Sequence, residues 1–231
     1  MSIAVIIPAR DAERVLPATL AALVGAPEVV VVDNGSRDGT AAAAVAHGAR
    51  VVREPRPSRA GARNAGAGAT RADRLAFLDA DCVPEPGWLE ALDRCLDDHA
   101  LVGGRVVVEG DATSAERFDS SWRLRQEASI AEGWSGSGNL GVRRELFETL
   151  GGFDASFTHA GEDVDLCLRA GAIEFCPEAV VRHAPARTTR EILARAIRHG
   201  YGSTQLHRRH AGRIGRRDWR HPKPIVAGDS A

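Results

Sequence analysis

The sequence predicts an α/β fold built on an open, mainly parallel sheet, and three observations carry that prediction. Short, continuously apolar, β-branched runs recur through the N-terminal part of the chain. Apolar residues at helical spacing fall between these runs, and Pro, Gly or Asp-Asn closes each of them. Runs of this kind suit strands buried on both faces, as parallel strands covered by helices are. Their alternation with helices at βαβ spacing gives the sheet its direction.

The first strand lies over 2–7 and ends at Pro8, and the second lies over 28–32 and ends at Asp33. Between them Val15, Leu16, Leu20 and Leu23 define a helix closed by Gly25 and Pro27. An alanine-rich helix over 40–47 leads to a strand over 49–53 and a turn at Pro55 and Pro57. A small-residue helix over 60–69 and a strand over 74–78 follow. After the run LVGGRVVV at 101–108 the pattern changes. A polar helix is expected over 114–132, a tight glycine-rich turn over 133–141 and a helix over 144–150. Another helix starts near Gly161, with two short strands at 173–176 and 179–183 and a basic helix from 188 to about 210. The last residues are expected to be loosely ordered. The predicted organisation is a body over 1–187, with halves 1–100 and 101–187, and a basic helical extension over 188–231.

Composition sets the class. The 231 residues are 44% hydrophobic and 26% charged, which suits a globular domain and excludes a disordered chain. No run approaches the ~18 apolar residues of a membrane span, and the start MSIAVIIPAR lacks the basic region and cleavage site of a signal peptide. A cytoplasmic protein is therefore expected. Cys82, Cys95, Cys167 and Cys176 show no C-x-x-C spacing and are expected to be buried free thiols. The net charge of -1 conceals a basic segment from Arg195 to Lys223, with eight arginines and one lysine against Asp218. That segment suits either an anionic membrane surface at the inner face, or acceptor capture, or packing on an acidic body. It offers only Tyr201 and Trp219 for base stacking, so no nucleic-acid partner is expected.

In open α/β sheets ligands bind beyond the carboxyl ends of the strands. Three polar segments occupy such ends: Pro8 with Ala9, Arg10 and Asp11; Asp33 with Asn34, Gly35 and Ser36; and Asp79 with Ala80 and Asp81. Singly each is ordinary. Asp-Asn-Gly-Ser also reads as a helix-capping turn, and the paired carboxylates also read as a strand exit. Two carboxylates that close together nonetheless suit a hard divalent cation that must also hold a diphosphate.

In series these segments resemble glycosyltransferase family 2, the nucleotide-diphospho-sugar transferases with the GT-A fold. The resemblance is carried by VIIPAR at 5–10, VDNGSRDGT at 32–40, GARNAG at 61–66, FLDAD at 77–81 and GNLGVRRELF at 138–147. It continues through GGFD at 151–154, GEDVDLCLR at 161–169 and VRH at 181–183. Asp11 stands where a Glu is frequent in the family, and the Gln-x-x-Arg-Trp motif of processive polysaccharide synthases is absent.

The resemblance implies a metal-dependent, inverting hexosyltransferase that moves one sugar from a UDP- or GDP-sugar to an acceptor hydroxyl on a lipid, glycan or small molecule. It implies that Asp11 and Asp33, with Ser36, bind base and ribose, that Pro8, Ala9 and Arg10 form a first wall, and that Arg63 meets base or phosphate. Asp79 and Asp81 would share ribose and metal duties, and His183 would complete a Mn2+ or Mg2+ site with Asp81 as the more direct ligand. Asp163 would be the general base, with Glu162 and Asp165 as competitors, although Asp165 and Arg169 also make an ordinary i,i+4 pair. Gly138 and Asn139 would lie by the donor and acceptor sugars. Two alternatives remain open: an inactive nucleotide-sugar binding protein, and a sugar nucleotidyltransferase, whose Gly-x-Gly-Thr-Arg loop is absent after the first strand.

Overall fold

A computed structural model describes residues 1–108, 110–122 and 126–211. The chain runs β1 (Ile3–Ala9), α1 (Leu16–Ala21), β2 (Val29–Asp33), α2 (Thr40–Ala46), β3 (Arg50–Arg53), α3 (Arg59–Gly68), β4 (Arg74–Leu78). It continues through β5 (Cys82–Pro84), α4 (Trp88–Asp98), β6 (Leu101–Val108), α5 (Ser114–Trp122), α6 (Gln126–Ala131) and β7 (Asn139–Arg143). Then come α7 (Arg144–Thr149), α8 (Glu162–Ala170), β8 (Glu174–His183) and α9 (Thr189–Arg209). Among the described residues the strands form one eight-stranded sheet in the order β3-β2-β1-β4-β7-β6-β8-β5. β1 to β4 are parallel, β7 is antiparallel to both β4 and β6, and β5 is antiparallel to β8.

Register places the site. Ala9 lies opposite Asp33, and Leu78 lies opposite Asn139, so the exits of β1, β2 and β4 share one edge of the sheet. Side chains alternate across each strand, which splits the core in two. Val5 and Ile7 face α1 and α4 with Leu16, Leu20, Leu92 and Leu96. Phe77 and Leu75 face the other way with Phe147, Phe153 and Leu166. On that side α3 packs closely by small residues, since a Cβ on Gly66 would collide with Ile6 and Val32.

Several expectations need correction. α4 falls where no element is predicted, although it buries Trp88, Ala91, Leu92 and Leu96 at helical spacing; Pro84, Pro86 and the surrounding charges mask the pattern. Residues 139–143 are a strand, not part of a turn. Their glycine answers crowding, since a Cβ on Gly141 would lie 2.9 Å from Val102. The two strands expected near 173–183 are one strand, whose pairing slips where Gly104 faces Cys176 but Arg105 faces Val180. Cys95 and Cys176 form a disulfide, because α4 lies on β8 and brings their Cα atoms to 6.3 Å across 81 positions. Cys82 and Cys167 are the expected buried thiols.

Candidate active site

The loops after β1, β2 and β3 are laced into one rim. Ser36 N–H donates to Asp33 Oδ1 at 3.0 Å, and Asp11 N–H donates to Ser36 Oγ at 3.1 Å. Asp11 Oδ1 accepts from Arg37 N–H at 2.8 Å. Asp11 has φ 48°, and it is the only non-glycine in the left-handed region among the described residues. Asn34 Nδ2 donates to the carbonyls of Glu54 and Arg56 while its Oδ1 accepts from Ser58 N–H. Pro8 and Arg10 border this rim, whereas the Ala9 side chain is buried in the core and its carbonyl is taken by Asn34 N–H. Ala9 therefore offers no side-chain wall.

A second cluster forms where β4 turns into β5. Antiparallel pairing sets Cys82 opposite His183, which brings His183 Nε2 to 3.2 Å from Asp81 Oδ2. His183 Nδ1 lies 2.5 Å from the Ala184 carbonyl, an acceptor, so this nitrogen carries the proton in the neutral ring. Nε2 then presents its lone pair to a carboxylate oxygen, and two acceptors at that distance require a proton or a cation between them. With Cys82 Sγ close by, the oxygen and imidazole donors suit Mn2+ or Mg2+. A cleft of about 420 Å³ opens beside this pair, bordered by Arg14, Val107 and Pro185.

The third cluster connects β4 to α8. Arg63, 3% exposed, donates from Nη2 to Asp79 Oδ1 at 2.8 Å and from Nη1 to Glu162 Oε1 at 2.7 Å. Its guanidinium lies over the Phe153 ring, which Asn64 fixes through paired bonds to the Phe153 backbone. Arg63 is thus a buried strut and not a solvent-facing hand for base or phosphate. Burial alone would lower its pKa, but Asp79, Glu162 and Asp163 hold it above the ordinary value. Burial, then the charge of Asp163, keeps Glu162 above the ordinary carboxyl value against the pull of Arg63. Gly138 lies against Asp79, where a Cβ would come to 3.0 Å from Oδ2.

Asp163 is placed differently. Gly161, at φ 100°, starts α8 and allows its first turn to carry Glu162, Asp163 and Asp165. Asp163 Oδ1 accepts from Val164 N–H at 2.9 Å, and Oδ2 accepts from Ser137 N–H at 3.2 Å. It remains partly exposed, while Asp165 is fully buried between Arg169 and His210. Asp165 therefore ties α9 to α8 and has no place in the cleft.

Asn139 is also withdrawn. It is 0% exposed, accepts from Trp88 Nε1 at 2.8 Å and donates to the carbonyls of Arg105 and Ala179. The side chain fills the slip between β6 and β8 instead of meeting a sugar.

The sequence reading took the basic segment from Arg195 as a whole and singled out neither Arg198 on α9 nor Arg59 at the start of α3, whose charges reach the Arg63 cluster. Arg198, on the inner side of α9, is pulled below the usual arginine value first by burial and then by Arg59 and Arg195, with Glu162 and Asp79 acting the other way. His199 is likewise lowered, by burial first, with Asp163 opposing and the three arginines assisting. The spacing of Arg195, Arg198, Gly202 and Leu206 along one helical stripe was the available signal. The basic segment inside α9 spends Arg195 on Asp119, Arg209 on Asp154 and His210 on Asp165. Residues 212–231, with the remaining arginines and Lys223, lie outside the described residues.

The family model described as Glycosyl transferase family 2 matches residues 4–154, which include the rim, Arg63, Asp79 and Asp81. The chain belongs to glycosyltransferase family 2. A pre-mycofactocin glycosyltransferase of Mycobacterium tuberculosis is 39% identical over 166 residues, covering 65% of this chain and 35% of that protein. The chain thus spans about a third of that relative's length. Glycosyltransferase AglE of Haloferax volcanii is 32% identical over 194 residues, covering 78% of this chain and 63% of its own. Glucosyl-3-phosphoglycerate synthase of M. tuberculosis, solved with Mn2+, UDP-glucose and phosphoglyceric acid, aligns at TM-score 0.63 and 25% identity. That alignment covers 90% of this chain and 79% of the other. A mannosyltransferase of Pyrobaculum calidifontis aligns at TM-score 0.66 and 24% identity, covering 92% of this chain and 64% of that one, and so shares the GT-A fold with this member of the family.

Proposed function

We propose that the protein is an inverting glycosyltransferase that moves a single sugar from a UDP- or GDP-sugar to an acceptor hydroxyl. The observation that carries this reading is the placement of the Asp81–His183 pair and the open carboxylate of Asp163 on either side of the Arg63 strut. Structures of family-like fold have been solved with UDP-glucose or GDP-mannose and Mn2+, which supports the donor class.

The Asp33–Ser36–Asp11 rim holds the nucleoside, and Asp81 with His183 would hold a divalent cation, with Asp79 beside them. Such an ion, when bound there, would supply charge stabilisation to a departing diphosphate. Asp163 takes the proton of the acceptor hydroxyl as its oxygen bonds to the anomeric carbon. The bond from that carbon to the diphosphate oxygen breaks, and its electron pair leaves with the nucleotide. Attack from the face opposite the leaving group inverts the centre. Glu162 is a weak rival for the base, because its Oε1 is committed to Arg63.

Calorimetry tests the donor site. UDP or GDP with Mn2+ is expected to bind the parent protein, and His183→Ala is expected to weaken that binding at least about tenfold while leaving metal-free binding unchanged. Equal metal-dependent affinity in the two proteins would remove His183 from the site.

The outer face of α9 supports contact with anionic lipid. Leu193, Ile197 and Tyr201 are exposed at i, i+4 and i+8, and the exposed Arg190 and Arg208 extend the same face toward either end of the helix. Co-sedimentation is expected with phosphatidylglycerol vesicles at low salt and not with phosphatidylcholine vesicles, and Leu193→Glu/Ile197→Glu is expected to abolish it. Equal sedimentation with both lipids, or with neither, would exclude this contact.

A further inference from the structure

The strand that carries His183 runs out into a segment held by α5. β8 stops at His183 and α9 begins at Thr189, so residues 184–188 join the Asp81–His183 pair to the last helix. α5 opens with a capping box, in which Glu116 N–H donates to Thr113 Oγ1 and Thr113 N–H donates to Glu116 Oε2, both at 3.1 Å. One turn on, Asp119 lies on the same face as Glu116. Asp119 is 3% exposed; its Oδ2 accepts from Ala186 N–H at 2.8 Å, and its Oδ1 accepts from Arg195 Nη2 on α9. Pro185 packs so closely on Gly110 that a Cβ there would come to 2.5 Å from the proline ring. Thr113 Oγ1 reaches the Arg187 carbonyl at 3.5 Å.

The bond at Ala186 leads back to the imidazole. His183 Nδ1 lies 2.5 Å from the Ala184 carbonyl, and this contact leaves Nε2 toward Asp81. That carbonyl belongs to the peptide bond with Pro185, which has no N–H to anchor it. The first backbone donor beyond it is Ala186 N–H, and Asp119 takes it. An ion pair that only fastened α9 to α5 would need one carboxylate oxygen on Arg195, whereas here the other oxygen fixes the backbone two residues past the carbonyl. The Arg195 side chain is 24% exposed and can turn to water, but the Ala186 N–H is buried and needs its acceptor.

Resting on the reading of Asp81 and His183 as a cation site, we propose that Asp119 is a positioning residue for that site. Its hydrogen bond to Ala186 N–H sets the Ala184 carbonyl, and through it the His183 ring, at the angle that lets Nε2 and Asp81 Oδ2 face a single cation. Arg195 holds the other oxygen and keeps the carboxylate turned toward the segment.

The test is calorimetry of UDP or GDP on the full chain with and without Mn2+, read as the ratio of the two affinities. In Asp119→Ala that ratio is expected to fall about tenfold, as loss of a partner that orients a metal ligand does. Metal-free affinity is expected to stay at the parent's value, which also reports that the variant is folded. Asp119→Asn keeps an oxygen for Ala186 N–H, and Arg195→Gln breaks only the ion pair, so both are expected to stay within about threefold of the parent. Adding Asp119→Ala to His183→Ala is expected to lower the ratio no further than His183→Ala alone, since no ring is then left to position. An unchanged ratio in Asp119→Ala, a loss in Asp119→Asn or Arg195→Gln equal to that in Asp119→Ala, or an additive loss in the double variant overturns the inference. If His183→Ala lowers the ratio and Asp119→Ala does not, the inference fails alone. If Mn2+ has no effect on the parent, or His183→Ala leaves the ratio unchanged, the cation reading fails and the inference falls with it.

Discussion

Asp163→Asn is expected to bind UDP or GDP with Mn2+ as the parent does and to transfer sugar about 10² to 10⁴ times more slowly, the usual worth of a positioned general base. The amide keeps the size of the carboxylate, and its one oxygen can still accept from Ser137 N–H or Val164 N–H, so the first turn of α8 stays in place. It cannot take the acceptor's proton. Loss in kcat with unchanged donor affinity separates chemistry from binding. Nucleotide release measured beside donor calorimetry checks this, with Glu162→Gln as the companion variant. If Asp163→Asn turns over within about threefold of the parent while Glu162→Gln is inactive, the base is Glu162.

Arg63→Met is expected to lose about 3 to 5 kcal/mol of stability, as removal of one member of a buried ion pair does. The methionine fills much of the same volume, but Glu162, 3% exposed, is left with a buried charge and no cation. Asp79 is half open to water and contributes less. Urea denaturation measures the loss, and the double variant Arg63→Met/Glu162→Leu is expected to recover much of it. The deficit has a pH sign. Burial already holds Glu162 above the ordinary carboxyl value, and removing Arg63 raises it further, so the folded variant binds a proton more tightly than its unfolded chain. The relief is complete below the ordinary glutamate value and is lost as pH rises through the raised one. A stability loss below about 1 kcal/mol, or one that grows as pH falls, would contradict the strut.

The Arg63 network also explains why adjacent motifs in the sequence belong together. Arg63 and Asn64 are neighbours on α3; the first joins Asp79 to Glu162, and the second holds Phe153 of the GGFD segment. Phe153 in turn packs edge-on to Phe77 at 5.0 Å between ring centroids. Four segments far apart in the chain thus converge on one buried guanidinium.

The N-terminal βαβ pattern, the strand-end position of Asp11, Asp33, Asp79 and Asp81, and the family were all legible in the order of the residues. These are local properties: a β-branched run between turn residues forms a buried strand, and its carboxyl end faces the crevice. Features that depend on long-range packing emerged only in three dimensions. The disulfide needs α4 laid on β8, and the withdrawal of Asn139 needs the slip between β6 and β8 for its amide to fill. Arg63 reads as a surface hand on a small-residue helix until Glu162, 99 positions away, closes over it. The same limit applies to Arg198: its spacing shows charge, but which face of α9 lies on the body is fixed by Gly202 against Ala160 and Leu206 against Phe157. A residue's type sets the chemistry it can perform, and burial and neighbours, which arise only when distant segments pack, select the part it takes.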